Sequence, residues 1–361
     1  MNNKIYADPL TFPIYQTSSY IIPGGEKYRY SREYNPTVEN LGNEIKKLEE
    51  AEDYNVFSSG MGSITTTLLS LSKPGDRILT HLDTFARSYH FIKDFLGQWG
   101  IKSDIAEPGT DNILKNIKKD TKIVFIESIS NPVLRVNDIA AISEKCHEIG
   151  AILVVDSTVP TPYNIKSLKL GADIVLHSAS KFISGHNNVI AGLAAGRNDL
   201  MEKIDAMRRT LGTSLDPNSA FLVENGMKTL ALRMEKINSN AMSIAEKLRD
   251  NKCISEVIYP GLPEHPDYET AKRAMRGYSG IVCFKLKSNP EKFIDNLKKI
   301  VPANTMGGTN TIISTPASMS HRSLSDGELK ILGVDSKFMR LSVGIEDPEE
   351  IIDDINSAIV Q

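Results

Sequence analysis

Cysteine is scarce: Cys146, Cys253 and Cys283 are the only three in 361 residues, odd in number and without a C-x-x-C spacing. A disulfide framework and a thiolate metal site are therefore not expected, and the three read as reduced, buried thiols. The seven histidines contain no H-E-x-x-H pattern, so nothing points to zinc. Neither sign of charge dominates: 42 Lys plus Arg stand against 45 Asp plus Glu, interspersed, for a formal net charge of -3. That argues against a dedicated nucleic-acid or anionic-membrane surface. No apolar run approaches the roughly 20 residues that a bilayer span needs. The opening MNNKIYADPLTFPIYQ lacks the basic start and apolar stretch of a signal peptide, which predicts a cytoplasmic protein. A G-x-G-x-x-G or Walker loop is missing too, which disfavours a nucleotide-dependent enzyme.

What is present is a strong alternation. A chain of 361 residues is larger than one core usually grows, so two lobes are expected. Residues 1–29, rich in Pro, Tyr, Ser and Gly, read as an extended arm. Leu41, Ile45 and Leu48 recur at helical spacing and predict an amphipathic helix from Val38 to Glu52. Short apolar runs then alternate with helical segments: RILTHL with SYHFIKDFLGQW, KIVFIES with DIAAISEKCHEIG, AILVVDS with IKSLKLG, then DIVLHS and VIAGLAAG. Strands apolar on both faces and separated by helices predict an α/β lobe over 30–224, built on a mainly parallel sheet. A long helical pattern from about Asn225 leads into a smaller α/β lobe over 225–361, with GIVCFKL and RLSVGI as strands. In its last helix Asp347 is placed as the cap, Pro348 in the first turn and Glu350 as the partner in a capping box.

Ligands of such sheets bind beyond the carboxyl ends of the strands. There, Asp156 ends AILVVDS, Lys181 follows DIVLHSAS and Asn131 follows KIVFIES. A carboxylate and an amine at neighbouring strand ends suit a cofactor with a basic ring nitrogen and an aldehyde, namely pyridoxal phosphate. Singly, each has a plainer reading as a solvated lysine or a turn-capping aspartate. The phosphate also needs a cradle. FSSGMGS opens the helical run ITTTLLSL, so Ser59, Gly60 and Met61 would present free N–H groups and the positive end of a helix dipole to an anion. Ser178 and Ser180 flank Lys181 and offer hydroxyls, although close packing explains small residues there equally well.

PIYQTSSY, YRYSREYNPT, SSGMGS, ESISNP, VVDSTVPTPY, HSASKFISGH, NGMKTLALRM, PASMSH and RLSVGIED follow one another in this order. With them the chain resembles, over nearly its whole length, the Cys/Met-metabolism pyridoxal-phosphate enzymes of fold type I: cystathionine γ-synthase, cystathionine γ-lyase and methionine γ-lyase. The resemblance implies that Lys181 is the Schiff-base lysine and Asp156 the partner of the pyridine nitrogen. It further implies phosphate contacts from Gly60, Met61, Ser178 and Ser180, and places Thr158 and Asn131 beside the ring and its phenolic oxygen. Arg340 matches the arginine that grips the substrate carboxylate, a task suited to a planar bidentate fork. Tyr30 and Arg32 match a pair that reaches the phosphate from the neighbouring subunit, which implies a homodimer with shared active sites, usually paired into a homotetramer.

Two departures bear on the reaction. Where the family has a tyrosine stacked on the cofactor, counting from Gly75-Asp76 places Phe85, in DTFARSY, so stacking is kept and the hydroxyl associated with departure of the γ-substituent is lost. Arg87, two residues on, either binds an acidic substrate or points to solvent. TMGGTNTIISTPA places Asn310 and Thr311 where Glu and Ser are common, which removes a charge contact for the distal amine of cystathionine. The chain is also shorter than many relatives by about one N-terminal helix, from which weaker tetramer contacts are expected. The expected activity is γ-replacement of the cystathionine γ-synthase type on an activated homoserine ester. Elimination from cystathionine, methionine or cysteine is the alternative. A cofactor-binding protein with little turnover is a further reading, against which the intact Lys181, Asp156 and Arg340 speak.

Overall fold

A computed structural model describes residues 8–21 and 27–359. Parts of the expected arm, residues 1–7 and 22–26, lie outside the described residues; within 8–21 there is no helix, only an isolated bridge from Ser19 to Tyr30. The first helix runs Pro36–Glu49, a few residues earlier at each end than its apolar spacing predicts. Its bounds are set by chemistry outside that spacing. The Asn35 side chain accepts from the Thr37 N–H, Pro36 takes the first turn, and Glu50 ends the helix in the left-handed region. Leu41 and Ile45 are fully buried, each worth about 1.5–3 kcal/mol of transfer free energy.

Seven strands form the larger sheet: β1 (Asp53–Phe57), β2 (Arg77–His81), β3 (Lys102–Ala106), β4 (Thr121–Glu127), β5 (Ile152–Asp156), β6 (Ile174–Ser178) and β7 (Gly192–Gly196). Their order is β1-β7-β6-β5-β4-β2-β3, and only β7 runs against the rest. Alternate residues of each central strand feed opposite faces, as their continuous apolar pattern requires. Val124, Ile126, Leu153 and Val155 join one core, and Ile123, Phe125, Val154 and Ile174 another. Two predicted helices are absent as such. The 86–99 stretch is a short helix (Ala86–His90), a π turn (Phe91–Phe95) and a 3₁₀ turn (Leu96–Trp99). Residues 167–171 make turns, closed by Gly171 at φ +100° and held by a 2.6 Å bond between the Ser167 and Ser157 hydroxyls.

The second sheet contains β8 (Ile254–Ile258), β9 (Ile281–Leu286), β10 (Val301–Pro302), β11 (Ile312–Ser314) and β12 (Phe338–Ser342), in the order β10-β11-β12-β9-β8. The helix Leu230–Arg249 bridges the two: Leu230, Met234 and Ile237 pack into the core of the larger sheet, Ala241, Ile244 and Leu248 into that of the smaller. On β12 the period of two sends Met339 and Leu341 to the smaller core and Phe338 to the larger one. Arg340 shares the face of Phe338, so an arginine looks toward the ends of the large sheet. In the last helix, Pro348–Ala358, Asp347 caps as expected, but Glu350 makes no capping box and pairs instead with Lys299 at 2.9 Å. The capping box is at Ser325 and Glu328. Among the described residues no helix is long and apolar enough to cross a membrane.

Candidate active site

At the carboxyl ends of β4, β5 and β6 lies a cavity of about 720 Å³, closed by loops that precede and follow β11. Its floor is built from strand ends. Glu127 and Asp156 are register partners in the last positions of β4 and β5. Asp156 Oδ1 accepts from the Thr158 N–H at 2.9 Å and the Thr158 hydroxyl at 2.5 Å, and that hydroxyl accepts from the Ser178 N–H at 2.7 Å. The other oxygen, Oδ2, has no hydrogen-bond partner among the described residues. Burial pushes the Asp156 carboxyl above its ordinary pKa, against the two bonds from Thr158. A positive group facing Oδ2 would reverse that, and a protonated ring nitrogen is such a group.

Glu127 is the contrasting carboxylate. Both of its oxygens are committed, Oε1 to the Phe85 N–H at 2.8 Å and Oε2 to the Asn131 N–H at 3.1 Å. Its own N–H donates to His81 Nε2 at 3.0 Å, which leaves the ring proton on Nδ1, donated to Asp83 Oδ1 at 2.7 Å. Burial, then the neighbouring Asp156, push Glu127 well above the usual carboxylate range. Glu127 lines the cavity floor and, through both oxygens, positions Phe85 and Asn131. It was legible in the sequence, since it ends the apolar run KIVFIE as Asp156 ends AILVVD.

Lys181 lies in the turns after β6, with Nζ 3.1 Å from the Thr305 hydroxyl. Burial first, and the Arg340 guanidinium second, hold its amine below the ordinary lysine range, which raises the neutral, nucleophilic fraction. The loop carrying Thr305 reaches this turn because Gly307, at φ +84°, has no side chain: a Cβ there would stand 2.4 Å from the Phe182 nitrogen. Ser59 caps the 12-residue helix Gly60–Leu71, accepting from the Gly62 N–H at 2.9 Å. A Cβ on Gly60 would lie 2.7 Å from Ser178 Cβ, so only glycine lets the helix start meet the end of β6. Arg340 is 3 % exposed; Nη1 donates to Asn131 Oδ1 at 2.9 Å, Nη2 to the Thr305 carbonyl at 3.0 Å, and the buried Nε has no partner among the described residues. A buried guanidinium without a carboxylate is costly, and a substrate carboxylate would answer it. His321 nearby is pushed down to about 4 by burial, with Arg340 adding to the effect, and is neutral at ordinary pH.

The cavity is thus lined by Ser59, Gly60, Met61, Phe85, Asn131, Asp156, Thr158, Ser178, Ser180, Lys181 and Arg340. Four expected residues lie elsewhere. Tyr30 is 45 % exposed with the Arg32 guanidinium 5.6 Å over its ring, outside this chain's own cavity. Asn310 is exposed, and Thr311 is buried but turned to Glu346, which accepts from its hydroxyl at 2.9 Å. Sequence reading missed Thr305 and Arg322, which the fold brings in from distant loops with no local signal. Arg87 both lines the cavity and reaches solvent.

A helix start for phosphate, an acceptor for a ring nitrogen, an amine for an aldehyde and a guanidinium for a carboxylate define a pyridoxal-phosphate enzyme acting on an amino acid. The chain belongs to the family described as Cys/Met metabolism PLP-dependent enzyme, which it matches over residues 2–360. It is 39 % identical to cystathionine gamma-synthase 1 of Arabidopsis thaliana, a chloroplastic protein, covering 99 % of this chain and 67 % of that one. It is 36 % identical to L-methionine gamma-lyase of Fusobacterium nucleatum, covering 97 % and 93 %. Among solved structures, cystathionine gamma-synthase of Xanthomonas oryzae pv. oryzae in complex with cystathionine superposes with a TM-score of 0.93 at 31 % identity, covering 96 % and 92 %. The protein is a PLP-dependent enzyme of sulfur amino-acid metabolism that forms or breaks C–S bonds.

Proposed function

We propose that this enzyme catalyses γ-replacement, joining a thiol such as cysteine to the γ-carbon of an activated homoserine ester. The observation that carries this choice is Phe85, which lines the cavity with a ring that has no hydroxyl to protonate a poor leaving group. The carboxylate or phosphate of a homoserine ester leaves with less protonation than a thiolate, so the missing hydroxyl weighs least on γ-replacement. Elimination from methionine or cystathionine is favoured by the likeness to lyases, a methionine gamma-lyase among them.

In this reading Ser59, Gly60, Met61, Ser178 and Ser180 hold the cofactor phosphate, Lys181 its aldehyde carbon and Asp156 its ring nitrogen, while Phe85 covers the ring. Bound there, pyridoxal phosphate supplies an electron sink in conjugation with the substrate's α-carbon. Arg340 grips the α-carboxylate, its guanidinium being at the cavity and paired with no carboxylate among the described residues. Asn131, held by Arg340 and Glu127, stays beside the ring. Lys181 Nζ, neutral at a lower pH than ordinary lysine, takes the proton from Cα and carries it on.

The test is a panel: O-acetyl-, O-succinyl- and O-phosphohomoserine with cysteine or sulfide, and cystathionine, methionine and cysteine alone. Cystathionine from an ester and cysteine, faster than elimination from any thioether, is expected; the reverse order would replace this reading with elimination. We further infer a cytoplasmic homodimer, paired into a tetramer, in which Tyr30 and Arg32 complete the partner's cavity. Mixing Lys181→Ala with Arg32→Ala chains should then regenerate competent sites, and no recovery after verified exchange counts against sharing.

A further inference from the structure

Four basic side chains line the cavity, Arg87, Lys181, Arg322 and Arg340, against the two carboxylates of its floor. The mechanism uses Lys181 and Arg340. It leaves Arg87 and Arg322 without a task. Both are exposed, and among the described residues neither guanidinium takes part in an ion pair or a hydrogen bond. A free surface arginine is unremarkable singly. Two of them at one cavity wall, with no carboxylate of that wall to answer them, make a place for an anion.

The segments that carry the two are fastened together. Arg87 belongs to the short helix Ala86–His90, directly after Phe85, and Arg322 to the turns that precede the helix Asp326–Leu332. His90 Nε2 lies 2.9 Å from the Ser323 hydroxyl, the Tyr89 hydroxyl donates to Glu328 Oε1 at 2.6 Å, and Lys93 Nζ donates to the same oxygen at 2.7 Å. Lys93 also stands 5.0 Å over the Tyr89 ring. Each arginine therefore sits next to a residue of this fastening, Arg87 two positions before Tyr89 and Arg322 beside Ser323. Segments far apart in the chain thus bring both arginines to one cavity, where Ser318 and Ser320 also line the wall.

We propose that Arg87 and Arg322 bind the anionic tail of the substrate's leaving group, so that this enzyme prefers a homoserine ester ending in a carboxylate or phosphate to a neutral one. The proposal rests on the γ-replacement reading and deepens it. Planar guanidinium forks match both tails, each able to give two parallel N–H···O bonds. The α-carboxylate goes to Arg340 and the cofactor phosphate to the Ser59–Met61 helix start, so neither competes for the rim. Because the rim is open to water, the preference weakens as salt rises.

Two measurements test this on the holoenzyme. In the first, kcat/KM is compared for O-phospho-, O-succinyl- and O-acetylhomoserine with cysteine. The wild type should prefer an anionic ester, and the ratio of anionic to acetyl ester should fall about 10-fold or more in both Arg87→Gln and Arg322→Gln, as loss of a charged hydrogen bond implies. Which anionic ester leads distinguishes a phosphoryl from a carboxyl tail. A wild-type preference for the acetyl ester, or a ratio unchanged in both variants, overturns the proposal. In the second, calorimetry compares L-2-amino-5-phosphonopentanoate, in which a methylene replaces the ester oxygen of O-phosphohomoserine, with L-norvaline. Tighter binding of the phosphonate, lost in Arg87→Gln or Arg322→Gln, supports an anion site even when no ester reacts, an outcome that would overturn γ-replacement alone. Equal binding of the two by wild type, together with no preference for O-succinylhomoserine, removes the anion site.

Discussion

The floor and the rim of the cavity are built by different means. Every group of the floor stands on a strand end or the turn just after it: Asp156 closes β5, Ser178 closes β6, and Ser59 begins the helix Gly60–Leu71. Backbone N–H groups fix them, as at the Asp156–Thr158 and Glu127–Phe85 bonds. The rim is made of side chains on loops and short turns, Arg87, Arg322 and the serines around 320, and its guanidinium groups have no partner among the described residues. A shared cofactor chemistry needs groups placed to a fraction of an ångström, which a sheet supplies. Choice of substrate can be left to loops. Changes to the floor should therefore touch every substrate alike, and changes to the rim should touch only some.

The largest effect, and the sharpest test of that contrast, is at the floor. Lys181→Ala should lose both the visible absorbance of bound cofactor and turnover of every substrate by at least ~10⁴-fold, the upper range for a positioned base, with the fold retained by circular dichroism. Asp156→Asn should keep the cofactor through its phosphate and still slow all Cα proton removal by ~10²-fold or more, at about 1.4 kcal/mol for each unit by which the ring nitrogen's pKa falls. A loss that differs widely between substrates in either variant would break the comparison.

Arg340 lies between the two regions, a residue of the second sheet pointed at the floor, and its replacement separates its two effects. Arg340→Met should raise KM for any amino acid by ~10²-fold, since a carboxylate then enters a dry site without its fork. It should also change Lys181, whose lowered pKa comes from burial first and the Arg340 charge second. Removing a like charge favours the protonated amine, so the pH midpoint for capture of pyridoxal phosphate by apoenzyme should move upward. It should nevertheless stay below the ordinary lysine value of about 10.4, because burial remains. An unmoved midpoint would assign the whole depression to burial.

Legibility followed the same division. Asp156, Lys181 and the Ser59–Met61 helix start could be found because an apolar strand run announces its own end, and ligands of parallel sheets gather there. Glu127 obeys the same rule and was overlooked only because no ligand role asked for it. Thr305 and Arg322 could not be found that way: more than 120 residues separate Lys181 from Thr305, and the contact rests on Gly307 letting two backbones meet. Helix bounds failed where local chemistry outweighs apolar spacing, as with the Asn35 side-chain cap and the left-handed backbone of Glu50. Glu350 failed as a capping partner because Lys299, on another element, draws its carboxylate away. Spacing along one chain segment carries no information on such partners.

The smallest expected effect is at the seam between floor and rim, where Phe85 stands. Its backbone N–H is held at 2.8 Å by Glu127, and the next residue begins the helix that carries Arg87. The ring is half-buried in the cavity wall, so a hydroxyl added to it meets the cavity and not the core. Phe85→Tyr should leave cofactor binding intact, because a phenol covers a ring as well as a phenyl does. A phenol can also give a proton to a poor leaving group. Elimination from methionine and cystathionine should therefore rise by about 10-fold, at the low end of general-acid help, while turnover of homoserine esters changes little. Such a split would place position 85 with the rim, as a determinant of which substrate reacts. An equal effect on thioethers and esters, or a wild type already fast on methionine, would place Phe85 with the floor and assign the proton transfer to Lys181.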